Sequence, residues 1–127
     1  MVSFEAFRAV DGAPVYLQII NFIKRGAIAG TIRDGDELPS RRVLSALLGI
    51  NPNTVQKAFH ILEEEHLMES RTGAKSCMTL PPDTLDALRR EVLSDELRAM
   101  ARTLRQLGIS REEALRLIEQ AWKEEEG

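Results

Sequence analysis

Between Leu38 and Phe59 the chain carries two apolar-striped segments separated by a four-residue stop, Gly49-Ile50-Asn51-Pro52. That punctuation restricts the fold more than any other feature of the sequence. Ser40 is placed to cap a first helix, its hydroxyl accepting a backbone N–H that every helix start leaves unpaired. Val43, Leu44, Leu47 and Leu48 recur at helical spacing behind it. Gly49 takes left-handed backbone at low cost and so ends that helix. Asn51 is a second N-cap, and Pro52 suits the first helical position, where a missing N–H is no loss. Val55, Ala58, Phe59 and Leu62 then form the inward stripe of a second helix.

The second helix begins with a cluster of hydrogen-bonding side chains. Asn53, Thr54, Gln56 and Lys57 lie outward of the stripe. Asn and Gln pair bidentately with adenine edges, and Lys reaches guanine or phosphate. A buried helical hairpin with a polar outer face fits this spacing equally well, but the next segment favours groove recognition. Residues 66–71 and 76–80 read as two strands joined by the turn Thr72-Gly73-Ala74-Lys75, with Gly73 as its permissive position. A hairpin directly after a recognition helix is a wing. Arg71 and Lys75 flank its tip and face phosphates or a minor groove.

These residues resemble the GntR family of bacterial transcription regulators, in particular its short YtrA-like subfamily. The resemblance rests on Pro14-Val15-Tyr16-Leu17-Gln18-Ile19-Ile20, on Gly30-Thr31-Ile32 with Gly35-Asp36 and Leu38-Pro39-Ser40, on Arg42 and Leu44, and on Asn51 through Ala58. Leu67-Met68 and Arg71-Thr72-Gly73 fit the start of the family's wing. It implies that Arg42 is the arginine family members place on DNA from the first of the two helices. It also implies that Asn51, Pro52, Asn53 and Gln56 face the groove and that Thr72 and Gly73 form the wing tip. The candidate DNA-binding set is therefore Ser40, Arg41, Arg42, Asn51, Pro52, Asn53, Thr54, Gln56, Lys57, Arg71, Thr72, Gly73 and Lys75. Two positions depart from the family pattern. Lys75, Ser76 and Cys77 stand where a second glycine and a Thr-aromatic pair are usual, and Val43 replaces an acidic residue.

Around this centre the rest of the first part takes shape. Phe4, Phe7 and Val10 form an arm before the turn Asp11-Gly12-Ala13-Pro14. Pro14 opens a helix through about residue 29, with Val15, Ile19, Phe22, Ile23 and Ile28 as its apolar face, and Gly30 ends it. Thr31-Ile32 reads as a third short strand beside the wing, and Arg33-Asp34-Gly35-Asp36 as a turn. Pro81-Pro82 marks a boundary, dividing a winged helix-turn-helix domain (1–80) from a helical tail (81–127).

In the tail, Leu85, Leu88, Val92, Leu93, Leu97, Met100, Ala101, Leu104 and Leu107 give one helix a continuous stripe over about residues 83–107. Gly108 stops it. Ser110 and Glu113 form a capping box for a last helix to about residue 125, with Ala114, Leu115, Ile118, Ala121 and Trp122 inward. Two helices of this size have too little core to stand alone. Their stripes find cover either on the winged helix or on the same hairpin of a second chain. The resemblance implies the second, a two-fold dimer seamed by Leu85, Leu88, Val92, Leu97, Met100, Leu104, Leu107, Leu115, Ile118 and Trp122. The expected fold is thus mainly α with a small β wing, an N-terminal winged helix-turn-helix followed by a C-terminal two-helix dimerisation hairpin.

Charge is unevenly spread. Residues 1–80 balance at net zero, and the whole excess of −3 falls in 81–127. A local basic patch, rather than a basic domain, would carry specific binding that falls steeply with salt. No segment approaches the apolar length of a membrane span, and the first residues lack a signal peptide's basic start and apolar core. The single Cys77 permits no internal disulfide, as expected of a cytoplasmic protein. His60 and His66 lie outside any metal-binding spacing, no glycine-rich phosphate loop is present, and Ser45 and Ser76 have no triad partners. The chain therefore reads as no enzyme and as needing no cofactor.

The reading that follows is a sequence-specific regulator, a repressor binding double-stranded DNA at an inverted repeat as a homodimer, with a transporter operon as the target the resemblance implies. Two alternatives stay open: an architectural DNA-binding protein, and a protein-interaction adaptor with a degenerate wing. Asn53 and Gln56 argue against the first, since phosphate-only binding favours Lys and Arg. The sequence names no small-molecule effector and leaves open whether one binds.

Overall fold

The computed structural model describes residues 1–71 and 75–127. Within them lie α1 (Val15–Ala29), α2 (Arg41–Leu48), α3 (Pro52–Glu64), β1 (Met68–Ser70), β2 (Ser76–Met78), α4 (Pro82–Gln106) and α5 (Arg111–Glu126). The chain divides into two compact units, Met1–Arg89 and Arg90–Gly127.

In the first unit α3 is the hub, packed against α1, α2 and β1. Its expected stripe of Val55, Ala58, Phe59 and Leu62 is buried, together with Ile19 and Ile23 of α1, Leu44 of α2 and Leu38 before it. The cap residues act as their chemistry requires. Ser40 Oγ accepts from the Val43 N–H at 3.1 Å, and Asn51 Oδ1 from the Asn53 N–H at 2.8 Å. Gly49 ends α2 with φ +66°, a backbone state a Cβ disfavours.

The inward faces differ from the sequence stripes at several places. α1 buries Ile19, Ile20, Ile23 and Ala27, and Pro14 stands at its N-cap rather than inside it. Phe22 is half-buried because it faces the arm, where Phe4 stacks on it at 5.2 Å and Phe7 meets it edge-on at 5.5 Å. Val10 is exposed. α2 buries only Leu44 and Ser45, while Val43 and Leu47 are 49% and 69% exposed. The buried line of α2 runs through Leu44 and Ser45, and positions 43 and 47 lie well round the helix from it, bordering an open cavity beside Val2, Phe4 and Phe7 of the arm.

The wing is an antiparallel pair in the register Met68↔Met78, Glu69↔Cys77, Ser70↔Ser76. Both strands are shorter than the 66–71 and 76–80 read from sequence. The chain leaves α3 through His66, which is left-handed at φ +62°, so the strand cannot begin there. Thr31-Ile32 is not the third strand. The N–H groups of both residues donate to the Gly26 carbonyl and wind up the end of α1. The pairing falls instead on 35–38: Glu37 bridges Cys77, the Leu38 N–H donates to the Ser76 carbonyl at 2.9 Å, and the Met78 N–H to that of Asp36 at 2.8 Å. The arm joins the same edge, with the Val2 N–H donating to the Glu37 carbonyl at 2.7 Å. The turn residues Thr72, Gly73 and Ala74 lie outside the described residues.

The first turns of α4 belong to this unit, and Leu88, assigned from sequence to an interchain seam, is already buried within the single chain. The second unit is the remainder of α4 with α5. Ser110 caps α5 by accepting from the Glu113 N–H at 3.2 Å. α5 buries no residue, and Leu97, Met100, Leu107, Leu115, Ile118 and Trp122 are all exposed. Leu85, Val92 and Leu104 are half-buried. Among the described residues no helix is long and apolar enough to cross a membrane.

Candidate nucleic-acid interface

The start of α3 presents an open polar surface. Pro52 occupies its first position, and Asn53, Gln56 and Lys57 are exposed within its first two turns. Positions 53, 56 and 57 share one face, since residues three and four apart stand above one another on a helix. Thr54 is half-buried. Asn51 spends its side-chain oxygen on the cap, which leaves its amide group as the outward part. Neither Asn53 nor Gln56 uses its side chain in a hydrogen bond among the described residues. Both amides are therefore unspent, the condition for reading a base edge.

The five cations expected on this side fall into two classes. Arg42 and Arg71 are exposed and carry no ion pair among the described residues. The other three are engaged. Lys57 Nζ lies 4.0 Å from the centre of the Tyr16 ring on α1, within cation–π range. Lys75 pairs with Glu37 at 3.5 Å, with both side chains half exposed, so the pair is readily exchanged for another anion. Arg41 is half-buried, pairs with Glu63 at 3.3 Å and lies over the Phe59 ring at 5.8 Å. Its Nε is buried and has no hydrogen-bond partner among the described residues. Sequence placed Arg41 beside Arg42 as an equivalent; one helical step of about 100° separates their environments.

Three contacts that hold the site have no sequence signal of their own. Gln18 staples the turn before α1, its Oε1 accepting from the Val10 N–H at 2.8 Å and its Nε2 donating to the Val10 and Ala13 carbonyls, each at 2.9 Å. Lys24 of α1 pairs with Glu65 at the end of α3 at 2.8 Å. Glu63 accepts from Ser70 Oγ at 2.8 Å as well as from Arg41. No set of three or more His, Cys, Asp or Glu is gathered for a metal among the described residues; His60 pairs with Glu64 instead. Cys77 is buried in β2.

Residues 15–75 match the family described as bacterial regulatory proteins, gntR family. The chain is similar to the HTH-type transcriptional regulator YhcF of Bacillus subtilis, 28% identical over 80% of this chain and 84% of that protein. It is 41% identical to the HTH-type transcriptional repressor YtrA of the same organism, over 50% of this chain and 48% of YtrA. Among solved structures it resembles a GntR family transcriptional regulator from Listeria monocytogenes with TM-score 0.81 and 27% identity, covering 88% of this chain and 98% of that one. A transcriptional regulator from Oenococcus oeni follows at TM-score 0.68 and 26% identity, covering 94% and 99%. These relatives and this fold belong to transcription regulators, not to enzymes.

Proposed function

The chain belongs to the GntR family of bacterial regulatory proteins, and from that premise we propose that this DNA-binding transcription regulator is a homodimeric repressor. The observation that carries the reading is the start of α3, where Asn53 and Gln56 are exposed and uncommitted on one helix face. They read base edges in the major groove, and Arg42 and Arg71 contact the phosphates on either side. Ser40, Asn51 and Pro52 set the two helix starts, and Thr54 and Lys57 complete the face. Thr72 and Gly73 belong to the same proposal as the wing tip, with Lys75 beside them.

Dimerisation is read from the second unit. α4 and α5 leave an apolar groove of about 580 Å³ between Leu97, Met100 and Leu104 on one side and Ala114, Leu115 and Ile118 on the other. With Leu107 and Trp122 exposed at 70% and 68%, this unit presents more apolar surface than a lone hairpin sustains in water. The same hairpin from a second chain covers it. Two-fold pairing then sets two recognition helices one DNA turn apart and requires an inverted-repeat operator. A repressor of this kind acts in the cytoplasm, on a promoter such as that of a transporter operon, and an effector would act by favouring one spacing of the two recognition helices.

DNase I footprinting on the DNA upstream of its own gene tests the reading. The expected result is a protected inverted repeat whose half-sites are centred about 10 base pairs apart. Protection without sequence preference supports an architectural role instead.

A further inference from the structure

Glu63 sits where three elements meet. It lies in the last turn of α3, and its Oε1 accepts from Arg41 at the start of α2 (3.3 Å) and from Ser70 at the end of β1 (2.8 Å). Arg41 is fixed a second time by the Phe59 ring of α3, and its buried Nε does not reach solvent. Between Glu63 and Ser70 the chain turns through His66, a non-glycine residue in left-handed backbone. Such a corner holds its angle only when its surroundings over-determine it. The second side-chain tie at this corner, Lys24 to Glu65, holds α3 to α1, while the strand's root is held to α3 by the buried Leu67 and Met68 and by the Leu67 N–H donating to the Leu62 carbonyl at 2.9 Å. Beside that apolar packing, the Glu63 carboxylate is the polar side-chain link, among the described residues, from the recognition helix to the far end of β1.

We infer that Glu63 is a positioning residue that sets the wing relative to the recognition helix, and that Arg41 is its anchor rather than a DNA contact. The inference rests on the DNA-binding reading of α3 and the wing. The carboxylate touches no DNA itself. It fixes where Arg71 and Lys75 stand when α3 is seated in the groove. Arg41 and Arg42 therefore have opposite roles although adjacent: one faces in and holds the frame, the other faces out and meets phosphate.

The two roles for Arg41 give opposite signs in one experiment. Affinity for the best duplex recovered from a random pool is measured by fluorescence anisotropy across a salt series, on the full chain. With Glu63 as the link, Glu63→Ala weakens binding on the order of ten-fold and lowers the slope of log K against log salt by about one, because a wing phosphate contact is lost. Ser70→Ala moves both readouts the same way. Adding Arg41→Ala to Glu63→Ala brings little further loss, since both break one link. Glu63→Gln, whose amide oxygen still accepts from both donors, retains most of the affinity and, with thermal melts, separates positioning from unfolding. Tighter binding by Glu63→Ala overturns the inference, because it means Arg41 was a phosphate ligand held back by the carboxylate. Additive losses from Arg41→Ala and Glu63→Ala, or an unchanged salt slope in both Glu63→Ala and Ser70→Ala, overturn it too. Failure of the unaltered chain to bind any duplex strikes instead at the DNA-binding reading beneath it.

Discussion

Lys57 of α3 rests its ammonium 4.0 Å from the centre of the Tyr16 ring at the start of α1. The contact joins the helix that faces DNA to the helix behind it, and it limits where that cation stands before DNA arrives. Tyr16→Leu removes the ring's negative face and should lower stability by about 0.5–1 kcal/mol, while Tyr16→Phe should cost less. Urea unfolding of the two variants checks this; equal losses would assign the effect to the hydroxyl that both variants lack and not to the ring.

Arg42 is exposed near the start of α2 and has no ion pair among the described residues. Arg42→Ala should weaken operator binding by about 1–3 kcal/mol and leave the melting temperature unchanged. Anisotropy titration beside a thermal melt reads both. A lowered melting temperature would make Arg42 a structural residue.

His66 holds φ +62° at the corner between α3 and β1. An L-residue there costs on the order of 1–2 kcal/mol that glycine does not bear, partly offset by the freedom glycine gains in the unfolded chain. His66→Gly should therefore raise stability by a fraction of that amount. Denaturant midpoints of the variant and the unaltered chain decide it, and a fall would show that the imidazole is itself held.

Leu97 is exposed and Leu104 half-buried along the groove of the second unit. Aspartate at both positions places charge in the proposed seam, where it stays unpaired. Leu97→Asp with Leu104→Asp should sediment as a monomer and bind DNA poorly. A double variant that still sediments as a dimer removes the tail from its proposed role.

The helix-turn-helix was legible because its signals are local. Ser40, Gly49, Asn51 and Pro52 act on backbone within three or four residues of themselves, and the α3 stripe needs only helical spacing. The edge beside the wing was not legible in the same way. Thr31-Ile32 has the composition of a strand, yet its N–H groups close onto Gly26, and the pairing with β2 falls on 35–38 because that is where the chain passes. Val43 and Leu47 match the apolar pattern of α2, but they lie well round the helix from its buried line. The site divided likewise. The outward residues of α3 followed from the stripe, whereas the separate fates of Arg41 and Arg42 depend on where Phe59 and Glu63 lie, many residues away in the chain.

Selection of bound duplexes from a random pool, with the purified chain at near-physiological salt, tests the central claim most directly. Sequence-specific reading by Asn53 and Gln56 in a two-fold dimer predicts an enriched inverted repeat with half-sites about one turn apart. Recovery of duplexes without a shared motif would contradict it.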